Sequence, residues 1–178
     1  MVSPPIDPSA IANPLKLEPN MNINSLRALR AQGQHEEARL EALAILDASP
    51  DDATLLYETA CLHDYLGLEV EAIPFYRRAI AAGLEGDDRR GAFLGLGSTC
   101  RTLGRHEEAL AVFDEGQAQF PEAEDLRVFR AMALHNVGRS KEAIESLLGV
   151  IARTSADPSI VNYRRAIELY AQDIERSW

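Results

Sequence analysis

Four glycines recur along this chain at a nearly constant interval: Gly33, Gly67, Gly104 and Gly138, separated by 34, 37 and 34 residues. Five residues after each stands an alanine (Ala38, Ala72, Ala109, Ala143), and a glutamate precedes each alanine (Glu37, Glu71, Glu108, Glu142). QGQHEEA, LGLEVEA, LGRHEEA and VGRSKEA are one phrase written four times. A period near 34 residues constrains the fold strongly. One such unit cannot bury its own apolar face, so units must stack and share a continuous core.

Each unit reads as two helices. Before Gly104, the residues Phe93, Leu96, Gly97, Cys100 and Leu103 form a stripe at helical spacing. After it, Ala109, Leu110, Val112, Phe113 and Phe120 continue the pattern. Gly104 sits where the first helix must stop, and glycine tolerates the left-handed backbone of that turn. Pro50 and Pro121 close second helices. In the second unit the loop Gly83–Asp88 is expected to absorb the three extra residues of the 37-residue interval. Ala60, Gly97 and Ala131 before the turns, and Ala72, Ala109 and Ala143 after them, let paired helices approach closely. Leu56, Phe93, Tyr76, Phe113 and Leu147 fill the surrounding space.

This pattern resembles the tetratricopeptide repeat, with its 34-residue period and frame of small and aromatic positions. The third unit fits best through Phe93, Leu96, Gly97, Gly104, Ala109, Phe113 and Pro121. The fourth departs from it at Arg127 and Arg130, where apolar residues are usual, and the first places Leu26 where a small residue is usual. The stretches AIPFYRRAIAAGL, LGSTCRTLGRHEEALAVF and YRRAIELYA are similar to the small bacterial proteins grouped as tetratricopeptide group 5. The resemblance implies an all-α, right-handed α-solenoid of four hairpins acting through protein contacts, with homodimers possible in that group.

The expected organisation is a proline-rich arm over residues 1–21, units over 22–52, 53–89, 90–121 and 122–157, and a C-terminal capping helix over 158–178. Five of nine prolines lie in the arm, and no apolar period runs through it, so it reads as extended or disordered. Asp157-Pro158-Ser159 is a helix start, and balanced charges after it suit the wet outer face of a cap.

Acidic residues outnumber basic ones 28 to 18, a net charge of -10. This disfavours nucleic acid and anionic membrane as partners. The N-terminus lacks the charged start and apolar core of a signal peptide, which points to a cytoplasmic protein. No phosphate-binding loop occurs, and the GLG at 95–97 lies inside a helical stripe. His35 and His106 stand beside two glutamates each, but neither helix carries a second histidine one turn away, so no metal site is expected. His63 takes a position where a core aromatic is usual. Cys61 and Cys100 have no nearby partner cysteine, and no base to activate them is evident. No catalytic residue and no cofactor are assigned.

In such arrays the first helices line the concave face. Residues off the core stripe and one turn apart are the candidates for binding a protein or peptide. They are Arg27 and Arg30 in the first unit; Tyr57, Cys61, Asp64 and Tyr65 in the second; Leu94, Ser98 and Arg101 in the third; and Val128, Met132, His135 and Asn136 in the fourth. Tyrosine, arginine and methionine suit interface anchors. Two alternatives for Arg30 and Arg101, which occupy equivalent places, stand open: they grip a ligand's carboxylates or carbonyls, or they pair with Asp64 or other acids of the array. The lysine and asparagine pairs by which some tetratricopeptide domains clamp a C-terminal carboxylate are not present at Tyr57, Cys61, Leu94 and Ser98. A second reading is self-assembly, with the groove filled by another copy or by the arm. An enzyme or small-molecule sensor is a third, with no residue set behind it.

Overall fold

The computed structural model describes residues 23–177. The proline-rich segment 1–21 lies outside the described residues. Ten helices follow: α1 (Ile23–Ala31), α2 (His35–Ala48), α3 (Ala53–Tyr65), α4 (Glu69–Ala81), α5 (Gly86–Thr102), α6 (His106–Gln119), α7 (Glu124–Asn136), α8 (Ser140–Thr154), α9 (Pro158–Val161) and α10 (Arg164–Tyr170). The described residues contain no strand.

The repeated phrase encodes a repeated turn. Gly33, Gly67, Gly104 and Gly138 have φ of 81°, 73°, 75° and 82°, a region that side chains on Cβ disfavour. Each glycine N–H donates to the carbonyl three residues back, and the next residue's N–H donates to the carbonyl five back, as in Leu68 N to His63 O at 2.9 Å. This pair of bonds satisfies carbonyls that the ending helix would leave orphaned. The chain then reverses into the second helix, whose Glu-Glu or Glu-rich first turn favours the positive end of the helix dipole.

The alanines of the phrase are the floor of the core. Ala38, Ala72 and Ala109 are fully buried and Ala143 is 4 % exposed. Across each hairpin they face Leu26, Ala60, Gly97 and Ala131, all buried. Leu26 shows that the first unit tolerates a large side chain at the small position. The glycines at 95 and 97 have separate packing reasons. A Cβ on Gly95 would lie 2.5 Å from the Tyr76 ring of the preceding unit, and one on Gly97 would lie 2.5 Å from Phe113.

Successive first helices (α1, α3, α5, α7) pack against one another, and no pair of successive second helices does so comparably. The array therefore curves with the first helices on its inner face. Charged pairs join neighbouring units across this stack: Arg77 with Glu108, Arg90 with Asp125 at 2.5 Å, and Arg130 with Asp114 at 2.6 Å. Arg127 and Arg130, unusual for the repeat, are thus held by Glu124 and Asp114 rather than buried.

Two boundaries differ from the expectation. Residues 86–88 are not loop: α5 begins at Gly86 and runs 17 residues against 13 for α3 and α7. The extra residues enter as added helix at its start, where Asp87 and Asp88 suit the dipole. The third unit thus starts at 86 instead of 90. The C-terminal region is not one helix over 158–178. It breaks at Asn162 and Tyr163, where Tyr163 N–H bonds Ile160 only three residues back, and it leaves helix after Tyr170. α10 then runs antiparallel to α8. Arg164 reaches Ser155 O at 3.4 Å, and Lys141 holds Asp173 at 2.6 Å.

Candidate functional site

The inner-face candidates fall into three groups. The first surrounds a cavity of about 580 Å³ at the amino-terminal end, lined by Arg27, Arg30, Cys61 and Tyr65 together with Gly33 and His35. The second lies at the joints between units. The third borders a cavity of about 480 Å³ at the far end, shared by Arg101, Met132, His135 and Asn136.

In the first group, Arg27 and Arg30 sit one turn apart on α1 and converge on one carboxylate of α3, that of Glu58. Glu58 is only 2 % exposed, while the arginines are half-exposed. Arg30 Nη1 donates at 3.0 Å, and Arg27 also reaches Asp88 of α5 at 3.1 Å. A buried carboxylate needs such donors, because an ion stripped of water is costly unless paired. The pairing has a second effect: Glu58 ties down two guanidinium forks that line the cavity, which narrows the rotamers open to them. The bonds to Glu58 raise the affinity of Arg27 for its proton, against its partial burial. The internal pairing of these arginines is made with Glu58 rather than Asp64.

Tyr65 stands 67 % exposed beside them, stacked on the His35 imidazole with ring centroids 3.6 Å apart. His35 opens α2 and belongs to the cavity wall. No side-chain cap bond forms there.

The second group is built into the stack. Asp64 accepts a hydrogen bond from the Tyr76 hydroxyl at 2.8 Å and from the Thr99 hydroxyl of the next unit at 2.8 Å. Burial raises its carboxyl above the ordinary range, with both hydroxyls pulling the other way. Tyr57 packs its hydroxyl against the backbone at Gly91, and burial pushes its phenol upward. Leu94 packs on the core, and Ser98 and Val128 are half-buried. Asp64 and Tyr57 therefore serve unit-to-unit packing first and the groove surface second. Burial also raises Cys61, and Cys100 is pushed up to about 11, mainly by burial. Neither thiol has the lowered range of a nucleophile. His63 is buried with Nδ1 2.7 Å from Thr59 O and its ring on Phe75, a core histidine as read from the sequence.

Glu58, Asp88 and His35 are the residues that sequence reasoning did not select. A signal for Glu58 existed: it is the one acid inside ATLLYETACL, nine residues before its turn glycine, where the other units place Gly95 and Phe129. Among the described residues, no group of three or more histidine, cysteine or carboxylate side chains is placed to hold a metal ion. No helix among them is long and apolar enough to cross a membrane.

A family model described as Tetratrico peptide repeat matches residues 53–174. No curated protein sequence matches the chain. Among solved structures, the chain is similar to YrrB, described as a TPR protein with an unusual peptide-binding site. The TM-score is 0.66 at 20 % identity, over 86 % of this chain and 77 % of that one. It is also similar to a tetratricopeptide repeat protein from Parabacteroides merdae ATCC 43184, with a TM-score of 0.58 at 17 % identity. That match covers 84 % of this chain and 57 % of the other, so this chain spans little more than half its length.

Proposed function

The chain belongs to the tetratricopeptide repeat family, a fold of protein–protein interaction modules, and from this premise we propose that it binds an acidic, extended protein segment on its inner face, as a homodimer. The observation that carries the reading is the pair of arginine forks, Arg27 and Arg30, anchored on buried Glu58 beside the Tyr65–His35 stack. A guanidinium whose orientation is already fixed loses little freedom on gripping a carboxylate or a backbone carbonyl. An exposed aromatic next to it supplies apolar area. The peptide-binding description of YrrB is in keeping with this use of the fold. Leu94, Ser98, Arg101, Val128, Met132, His135 and Asn136 extend the same surface along the groove.

Peptide display on the purified protein tests the proposal. Enriched peptides are expected to carry aspartate or glutamate, and Tyr65→Ala is expected to weaken them at least tenfold, on the order of an interface hot spot. Because Tyr65 is mostly exposed, its stability should stay within about 0.5 kcal/mol. Peptides that bind Tyr65→Ala and the wild type equally would place the binding surface elsewhere.

A further inference from the structure

Arg27 and Arg30 share Glu58 but differ in what else they hold. Among the described residues, Arg30 commits one nitrogen, Nη1, to Glu58 at 3.0 Å. Arg27 commits two, Nε to Glu58 and Nη2 to Asp88 at 3.1 Å. A carboxylate grips a guanidinium by two parallel bonds, along the Nε–Nη2 edge or the Nη1–Nη2 edge. Both edges of Arg27 include a nitrogen already given to an acid, whereas Arg30 keeps its Nε–Nη2 edge. The two acids differ as well. Glu58 is 2 % exposed, so taking Arg27 from it would strand a buried ion. The Asp88 side chain is 38 % exposed and returns to water at little cost, so it is the partner that a ligand can displace.

Asp88 reaches Arg27 because α5 is long. It stands sixteen residues before its turn glycine, Gly104. The residues at the same place in the second and fourth units, Asp51 and Glu122, precede α3 and α7 altogether. The added turn of α5 carries Asp88 as helix instead, and its carboxylate meets a guanidinium two units away. Two guanidiniums then face two carboxylates, so the cluster offers an acidic ligand no net attraction beyond its unfilled donors.

We propose that Asp88 is an internal competitor for a ligand's acid at Arg27. The site takes segments that present one carboxylate, to Arg30, and a second acid beside it adds no affinity because it must first evict Asp88. An element that opposes one class of ligand is a way of setting specificity. The inference deepens the reading of an acidic segment bound beside Tyr65, and rests on it.

A display-selected peptide whose binding needs Tyr65 is synthesised in two forms, with one aspartate and with two adjacent aspartates, and titrated by fluorescence anisotropy against the full chain. The wild type should bind the two forms within about twofold of each other. Asp88→Asn should bind the paired form at least about threefold more tightly than the wild type does, the scale of an exposed ion pair, and the single form within about twofold. Asp88→Ser, which also lacks the charge, should behave alike. Asp87→Asn takes the same charge from the same turn of α5, where the side chain is 95 % exposed and lies by Arg90, and should change neither form. In an Arg27→Met background the gain from Asp88→Asn should vanish. A paired form that binds Asp88→Asn and Asp88→Ser no better than the wild type overturns the proposal. So does an equal gain in Asp87→Asn, or a gain that survives Arg27→Met. If no selected peptide depends on Tyr65, the underlying reading fails and this inference with it, whereas a Tyr65-dependent peptide indifferent to Asp88 sinks this inference alone.

Discussion

Gly97 and Phe113 touch across the third hairpin so closely that a single methyl group on the glycine would lie 2.5 Å from the ring. Phe113 is fully buried and has no free direction in which to turn. Gly97→Ala therefore overpacks the hairpin and is expected to cost about 1–3 kcal/mol despite its gain in helix propensity. Thermal unfolding followed by circular dichroism should show the melting temperature falling by several degrees.

The charge cluster at Glu58 predicts an asymmetry. Removing both cations, as in Arg27→Met with Arg30→Met, strands a carboxylate that is 2 % exposed. That class of change costs about 3–5 kcal/mol. Glu58→Met instead releases two arginines that already reach water, and it should cost clearly less. Urea midpoints of the two variants, at equal slope, make the comparison.

Two carboxylates should give opposite pH dependences. Burial raises Asp64, so its contribution to stability is present below the ordinary carboxylate range and lost as pH rises through the folded value. Arg153 first, with Arg127 behind it, lowers Glu124, so its contribution is present above the ordinary range and lost as pH falls. Relative to wild type, Asp64→Asn should be more favourable at pH 7 than at pH 3. Glu124→Gln should be less favourable at pH 7, by about 0.5–1 kcal/mol for this largely surface pairing. Urea unfolding from pH 3 to pH 7 reads both slopes.

The thiols should be quiet in the folded chain. Cys100 is buried and Cys61 is half-buried beside Tyr76, and burial raises both. Labelling with a thiol reagent at pH 7 should be at least about a hundredfold slower in the native protein than in urea, where both cysteines react. Fast native labelling of Cys61 would mean that the amino-terminal cavity opens readily.

Local signals in this sequence were legible, and long-range ones were not. The turn glycines and alanines announce themselves, because a left-handed turn and a close helix approach each demand one residue type. The start of α5 was misplaced because Gly83 and Gly86 look alike in sequence, and only Gly83 stands in the turn that ends α4, while Gly86 begins α5. Arg27 and Arg30 were selected for their position, but Glu58 was passed over. An acid on an apolar face is explained only by cations contributed from another unit, 31 and 28 residues away. YRRAIELYA has a helical period wherever it docks, and the flank of α8 it chooses is a tertiary outcome.

α1 contributes one buried side chain, Leu26, to the shared core, whereas α3 and α5 contribute at least five each. In a one-dimensional array the element with the fewest neighbours opens first. Among the eight hairpin helices α1 should thus open first, and the wall that carries Arg27 and Arg30 would come away before the other hairpins loosen.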